Sequence, residues 1–333
     1  MSLDERQQTR VLAVIPCLNE EPNLEKLVRD LLASNEELDL QIVIVDGGST
    51  DRTLIVGQDL AAKFPNVVIL RNPKRIQSAA VNLAVAAYGD RTTYLIRIDA
   101  HGDYPTDYCK ILLDEAQSAL ASSVVVAMKT AGRGWFQQAA AAAQNSILGN
   151  GGSAHRVVGR SGTWTDHGHH ALMRIDAFRA VNGYDESFSH NEDAELDMRL
   201  RQAGFKIWLT SRTSLTYHPR SSPAALFRQY VNYGVGRART IVKHHALPKI
   251  RQLAPAAVLP AALLALATPV LRAAAIPLLI WAGFCLVYGI VLGLRAKSCA
   301  AAASGLAAMI MHVAWSVGFW KSLLRELFGT RGR

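Results

Sequence analysis

Four short motifs carry most of the chemistry this chain can offer. Pro16-Cys17-Leu18-Asn19-Glu20-Glu21 follows an apolar run at 11–15, and Val45-Asp46-Gly47-Gly48-Ser49-Thr50-Asp51 ends another at 42–45. The Asp46 carboxylate can accept hydrogen bonds from a base or ribose. Gly47 and Gly48 permit a close turn, and the polar residues after them can cap a helix. In Arg97-Ile98-Asp99-Ala100-His101, a carboxylate and an imidazole can face one cation. Oxygen plus nitrogen ligation suits Mn²⁺ or Mg²⁺, with nucleotide phosphates completing the shell. The fourth motif runs His190-Asn191-Glu192-Asp193-Ala194-Glu195-Leu196-Asp197-Met198-Arg199-Leu200-Arg201. Helical i,i+4 spacing pairs Glu195 with Arg199 and Asp197 with Arg201. Glu192 and Asp193 lack such partners, which leaves them freest for acid–base work. Ordinary turn and cap chemistry would explain any one motif alone.

These motifs need a frame. Short apolar runs at 11–15, 42–45, 67–70, 94–98 and 124–128 predict strands, and segments at 24–32, 54–64 and 78–88 predict helices between them. Such alternation implies an α/β fold, with a mostly parallel sheet and helices on both faces. Ligands then bind at the carboxyl ends of the strands, where Asn19-Glu20, Asp46 and Asp99-Ala100-His101 all fall. Residues 129–170 show little strand pattern; 139–143 suggests a helix, 149–153 a flexible loop, and the stretch reads as a substrate loop. Histidines at 167, 169 and 170 without a nearby Cys give little support to a zinc site.

The net charge of +9 first suggests nucleic acid. However, residues 1–220 hold 23 Lys+Arg and 26 Asp+Glu, whereas residues 221–333 hold 13 bases and one acid, Glu326. The basic excess flanks apolar runs, which reads as a membrane protein with basic cytoplasmic flanks and no nucleic-acid partner. In 221–252, Arg228, Arg237, Arg239, Lys243, Lys249 and Arg251 interleave with Phe227, Tyr230, Tyr233 and Ile241. Amphipathic interfacial helices on anionic membrane lipids are expected there. Residues 273–294 and 299–320 are long enough to span a bilayer, while Pro255, Pro260 and Pro269 interrupt 253–271. Three spans would place Lys321, Arg325, Arg331 and Arg333 outside, against the positive-inside rule. Either that rule is overridden or one stretch is re-entrant, the Pro-rich first one being the candidate. The expected organisation is a catalytic domain at 1–220, interfacial helices at 221–252, and a membrane domain at 253–333 with two to three spans. Residues 1–10 are polar and charged, so no signal peptide is expected and the catalytic part should stay cytoplasmic. Cys17, Cys109, Cys285 and Cys299 show no paired framework and should be reduced.

The order P-x-x-N-E, V-D-G-G-S-T-D, D-A-H and N-E-D before R-L-R-Q-A-G-F resembles a family 2 glycosyltransferase of the Rossmann-like GT-A fold, over residues 10–245. Tyr217-His218-Pro219-Arg220 and Arg228-Gln229-Tyr230-Val231-Asn232-Tyr233-Gly234 narrow the resemblance to membrane-bound members that build exopolysaccharides. The resemblance implies that Pro16, Asn19, Glu20 and Asp46 hold the uridine of the donor. Asp99 and His101 would bind Mn²⁺ or Mg²⁺, with His218 as a further ligand; D-x-H in place of D-x-D removes one negative charge. Asp193 becomes the base of a single inverting displacement. Lys74, Arg75 and Asn82 would face the donor phosphates or sugar. Arg220, Gln229, Tyr230 and Arg237 stand where relatives carry a Q-x-x-R-W helix over the diphosphate, although that sequence is absent here. Trp164, Asp166, His169 and Glu192 would line the sugar or acceptor site. By this resemblance, glucose moves from UDP-glucose to a polyprenyl-diphosphate-linked saccharide at the inner membrane, β-1,3 to galactose, in succinoglycan-type assembly. Two alternatives stay open. One is a polyprenyl-phosphate glycosyltransferase making a lipid-linked donor. The other is a non-catalytic membrane scaffold, against which intact Asn19, Asp46, Asp99 and Asp193 speak.

Overall fold

Strands β1 (Val11–Cys17), β2 (Leu40–Asp46), β3 (Val67–Arg71) and β4 (Tyr94–Arg97) form where the apolar runs predict them, in a computed structural model that describes residues 10–151 and 162–329. They pair in parallel in the order β3-β2-β1-β4. Alternation of side chains along β1 sends Val11, Ala13 and Ile15 against Leu24, Val28 and Leu31 of helix Glu21–Ser34 and Leu60 of helix Thr53–Lys63. Leu12 and Val14 face the other way, against Ala80, Val81, Ala84 and Val85 of helix Gln77–Tyr88. Both faces of the sheet are therefore buried, which is why these strands read as continuous apolar runs.

After helix Tyr108–Ser118 come β5 (Ser123–Thr130), β6 (Thr163–Thr165), β7 (His169–Arg174) and β8 (Ile207–Tyr217). β7 lies between β4 and β5, antiparallel to both, and β6 pairs antiparallel with β8 at the far edge. No apolar run announces β7 or β8: β7 opens on two histidines, and β8 is rich in Thr and Ser. Helices Ile175–Ala180 and Glu192–Gln202 close the core through Phe178, Leu196 and Leu200. All four cysteines are free.

The chain divides into two units, Met1–Met128 with Val158–Leu215, and Lys129–Val157 with Thr216–Arg333. Residues 129–157 thus go with the C-terminal part and hold helix Trp135–Gln144 where 139–143 predicts one. Of the expected loop at 149–153, residues 152 and 153 lie outside the described residues, as do Arg331 and Arg333.

In the second unit, Ser222 caps helix Pro223–Lys243 by accepting from the Ala225 amide at 3.3 Å. This helix meets helix Ser304–Phe328 backbone to backbone. A Cβ on Gly234 would lie 2.1 Å from the Trp315 carbonyl oxygen, and one on Gly318 would lie 2.0 Å from that of Val231. Small residues at close helix crossings are the packing currency of membrane bundles.

Residues 253–271 do not form one helix. The segment breaks into Ile250–Ala256 and Val258–Ala265. Pro260 has no N–H to offer the Ala256 carbonyl one turn back. Ser316 Oγ and Trp320 Nε1 donate to that carbonyl instead, at 3.0 and 2.8 Å, and the Leu259 amide donates to Ser316 Oγ at 3.0 Å. Among the described residues, two segments, Arg272–Ala296 and Cys299–Phe328, are long and apolar enough to cross a membrane, by length and composition. They suggest membrane association.

Candidate active site

The register of β1 against β2 sets Cys17 level with Asp46, so the first two motifs leave the sheet side by side. Their loops are knitted together. The Asn19 amide donates to Ser49 Oγ (2.9 Å), and Asn19 Oδ1 accepts from the Thr50 amide (2.8 Å). The Glu20 amide donates to Thr53 Oγ1 (2.8 Å), and Glu21 Oε2 accepts from the Arg52 amide (3.1 Å). Asp46 is buried and accepts from the Gly48 and Ser49 amides at 2.9 and 3.2 Å. Gly48 takes φ +84°, and a Cβ there would sit 3.3 Å from the Arg75 guanidinium. Asn19 and Asp46 therefore shape the mouth of the sheet as well as offering polar atoms to a ligand.

A cleft of about 340 Å³ opens beside them, lined by Pro16, Glu20, Arg75, Gln77, Asp99 and His101 among others. Asp99 Oδ1 accepts from Gln77 Nε2 at 2.8 Å, and His101 Nδ1 lies 2.9 Å from Glu20 Oε1. Among the described residues, no cluster of three or more His, Cys, Asp or Glu is gathered to hold a metal. Asp99 and His101 still fit a hard cation that keeps waters and takes phosphate oxygens for the rest of its shell. His218 lies in the second unit, with Nδ1 2.8 Å from the Ala131 carbonyl oxygen.

Asp193 stands in the first turn of helix Glu192–Gln202 and is not free, contrary to the helical-spacing expectation. Arg97 ends β4 with its side chain 3% exposed, and its guanidinium grips both carboxylate oxygens, at 2.6 and 3.1 Å. Tyr184 donates to Asp193 Oδ1 at 3.1 Å. Burial works against ionisation of Asp193, but Arg97 and then His170 hold its carboxyl well below the usual carboxylate range. Glu192 behaves oppositely: burial, then the neighbouring Asp193 charge, push it up to about 7. His169 bridges the two chemistries, with Nδ1 3.3 Å from Arg97 and Nε2 3.6 Å from Asp99. Burial and the Arg97 charge push it down to about 4, so its ring is neutral near pH 7.

The expected Glu195–Arg199 pair forms, with Nη2–Oε2 at 2.6 Å. Asp197 does not pair with Arg201. It is fully buried and meets His170 on β7 and His167 just before that strand, while Arg201 points out to solvent. Spacing along one helix cannot reveal a partner supplied by a neighbouring strand.

Asn82 donates to the Tyr184 carbonyl (2.8 Å) and Glu186 (2.9 Å) and accepts from the Tyr184 amide (2.9 Å), so it fastens the loop carrying Tyr184. Lys74 forms an ion pair with the same Glu186. Trp164, half exposed on β6, packs edge-on against Trp208 at 4.9 Å, and Asp166 follows just after that strand. In the second unit, Gln229 donates to the Tyr217 and Tyr233 hydroxyls at 2.8 and 2.9 Å. On the same helix Tyr230 is buried and Arg237 half-buried, and Arg220 is exposed just before it. The first unit thus brings Glu20, Asp99, His101, His169 and Asp193 into one connected set. Sequence reasoning assigned no role to Arg97, gave Asp197 only a partner on its own helix, and missed the contacts of Tyr184 and His170 with Asp193. The one available signal was Arg97 itself, a charge closing an otherwise apolar strand.

A family model described as "Glycosyl transferase family 2" matches residues 12–181. The "Succinoglycan biosynthesis protein ExoA" of Rhizobium meliloti (strain 1021) is 54% identical over 324 residues, which cover 97% of this chain and 98% of that protein. Among solved structures, the mannosyltransferase PcManGT from Pyrobaculum calidifontis, in complex with GDP-Man and Mn²⁺, is similar with a TM-score of 0.58 at 17% identity. The match covers 92% of this chain and 88% of that one. The fold is the GT-A fold expected from the sequence.

Proposed function

The chain belongs to glycosyl transferase family 2, and on that premise we propose that it moves glucose from UDP-glucose to a polyprenyl-diphosphate-linked saccharide, β-1,3 to galactose, in succinoglycan-type exopolysaccharide assembly. The observation that carries this reading is the 54% identity along nearly the whole length of a succinoglycan biosynthesis protein. The apolar C-terminal helices support a lipid-linked acceptor, and the basic segment at 221–252 would favour an anionic leaflet. The catalytic unit would face the cytoplasm at the inner membrane, where nucleotide sugars are made.

In this reading Pro16, Asn19, Glu20 and Asp46 hold the uridine, and Arg75 closes over Gly48 at the phosphate side. Trp164, Asp166, His169 and Glu192 flank the sugars. A cation such as Mn²⁺ or Mg²⁺, with Asp99 and His101 as protein ligands, would offset negative charge on the leaving diphosphate. Asp193 accepts the proton of the acceptor hydroxyl as that oxygen bonds to the anomeric carbon. The bond from that carbon to the UDP oxygen breaks in the same step, and its electron pair leaves with UDP. One displacement inverts an α-linked donor to a β product. A carboxylate clamped by Arg97 is a weak base toward a resting hydroxyl, so it takes the proton only as the new bond makes the hydroxyl acidic.

The test uses membranes containing the full chain, labelled UDP-glucose, Mn²⁺ or Mg²⁺, and galactose on a polyprenyl diphosphate. Transfer that disappears in Asp193→Ala supports the reading. Transfer to free polyprenyl phosphate instead would make the protein a lipid-sugar synthase, and absence of any donor turnover would leave a scaffold.

A further inference from the structure

A row of buried polar side chains stands behind Asp193, and the transfer step makes no direct use of it. His170, the second residue of β7, is fully buried, with Nε2 2.7 Å from Asp197 Oδ1. Its Nδ1 lies 2.8 Å from the Tyr184 hydroxyl and 3.3 Å from Asp193 Oδ1. Asp197, fully buried as well, has its second oxygen 2.7 Å from His167 Nδ1 and 3.3 Å from the Gly168 amide. Asp193 and Asp197 are one helical turn apart on the same face, so a single imidazole reaches both. A buried ion pair of this kind rarely adds stability over apolar packing of the same volume, which turns attention to what else it does.

The chemistry of the Tyr184 hydroxyl supplies an answer. That oxygen has two lone pairs and one proton. Arg97 Nη1 donates to it at 3.1 Å, and it donates to Asp193 at 3.1 Å. The remaining lone pair faces His170 Nδ1. If that nitrogen carries a proton, it donates to Tyr184 and the hydroxyl hydrogen must point at Asp193. If it does not, it becomes an acceptor that draws the same hydrogen away from Asp193. We propose that His170 and Asp197 are positioning residues, which keep the Tyr184 hydroxyl aimed at Asp193 and so fix the orientation of the carboxylate that receives the acceptor's proton. The inference rests on the reading of Asp193 as the base.

Electrostatics agrees with the geometry. Burial opposes charging of His170, yet Asp197 and then Asp193 raise its proton affinity above the ordinary histidine value, with Arg97 acting the other way. The charged and titratable groups around it are Glu192, Asp193 and Asp197 from the helix, Tyr184 from the preceding loop, Arg97 from β4 and His169 on its own strand; Glu192, pushed up to about 7, is common to wild type and the variants, so the difference between their pH profiles is what reports on His170. Because its affinity is raised, His170 keeps its proton below that raised value and loses it as pH climbs through it.

The experiment compares full-length wild type, Asp197→Asn, Tyr184→Phe and Asp193→Ala in membranes, measuring kcat and KM for UDP-glucose from pH 6 to 9. UDP binding by calorimetry reports that each variant is folded. Asp197→Asn and Tyr184→Phe should each lose tenfold or more in kcat with little change in KM. Asp197→Asn should also lose activity at a lower pH than wild type, because His170 has lost its anionic partner. Wild-type kcat in both variants overturns the inference, and so does a loss of kcat accompanied by weaker UDP binding and an unshifted pH profile. Should Asp197→Asn fail to fold, Tyr184→Phe decides alone. Asp193→Ala separates the two readings. If it retains wild-type transfer, the base assignment itself fails; if it is dead while the other variants are normal, only the positioning role fails.

Discussion

Replacing Arg97 with Met tests the central clamp of the first unit. The guanidinium is almost wholly enclosed and serves Asp193 through two hydrogen bonds, the Tyr184 hydroxyl through another, and His169 through a fourth contact. Methionine fills much of the same space with no charge. What remains is a nearly buried Asp193 carboxylate with only His170 and Tyr184 beside it, and Asp99 in the same field. Removing one partner of a buried ion pair costs about 3–5 kcal/mol. The lower end applies, because Asp193 keeps 17% side-chain exposure and one cationic neighbour. For a unit of this size about 3 kcal/mol corresponds to a melting shift of about 6–12 °C. The pH dependence follows from the sign of the Asp193 shift. Its folded-state affinity for protons is depressed, so its contribution is present above the unfolded carboxylate pKa of about 3.9 and fades as pH falls through the folded value. Thermal melts of the full chain in detergent should show wild type and Arg97→Met far apart at pH 7, with the gap starting to narrow as the pH falls below about 4. A gap under about 1 °C at pH 7 would refute the clamp, and so would a gap that stays constant on acidification.

Gly318→Leu should weaken the crossing of helices Pro223–Lys243 and Ser304–Phe328 by at least about 1–3 kcal/mol, read as a lower melting temperature with the first unit's UDP affinity unchanged. Asp46→Asn leaves an amide where the Gly48 and Ser49 N–H groups expect an acceptor, so UDP-glucose KM should rise about tenfold or more with a smaller change in kcat. If His101 helps to hold a cation, His101→Ala should raise the Mn²⁺ concentration needed for half-maximal transfer; an unchanged requirement, or transfer indifferent to EDTA, removes the metal from the scheme.

The parallel half of the sheet was legible because its strands are buried on both faces and so carry uninterrupted apolar runs. Strands β7 and β8 were not, since polar residues such as His169, His170, Thr210 and Thr213 interrupt the apolar pattern even where they are buried. The site divides in the same way. Motifs at strand ends, Asn19, Asp46, Asp99 and His101, could be named because each is local in sequence. Arg97 gripping Asp193 joins residues 96 positions apart, and His170 meeting Asp197 joins residues 27 apart. The pairing of β7 with β4, and helix Glu192–Gln202 packed beside them, make these pairs neighbours. Helical periodicity even misdirected Asp197, because it counts partners along one helix and knows nothing of the strand beneath. In the C-terminal part, by contrast, three prolines were enough to single out the apolar stretch that does not form one continuous helix.

That broken stretch has a consequence for the order in which the protein is made. The Ala256 carbonyl depends on donors 60 and 64 residues later, Ser316 and Trp320. Residues 250–265 leave the ribosome before those donors do, and hydrocarbon offers a bare carbonyl nothing in return. The segment should therefore wait among the lipid headgroups until the last helix arrives to receive it. Chains truncated and released before residue 316 should leave it open to added protease, and released chains that include residue 320 should not. The helix that carries Ser316 and Trp320 then acts as a late-arriving keystone for residues 250–265.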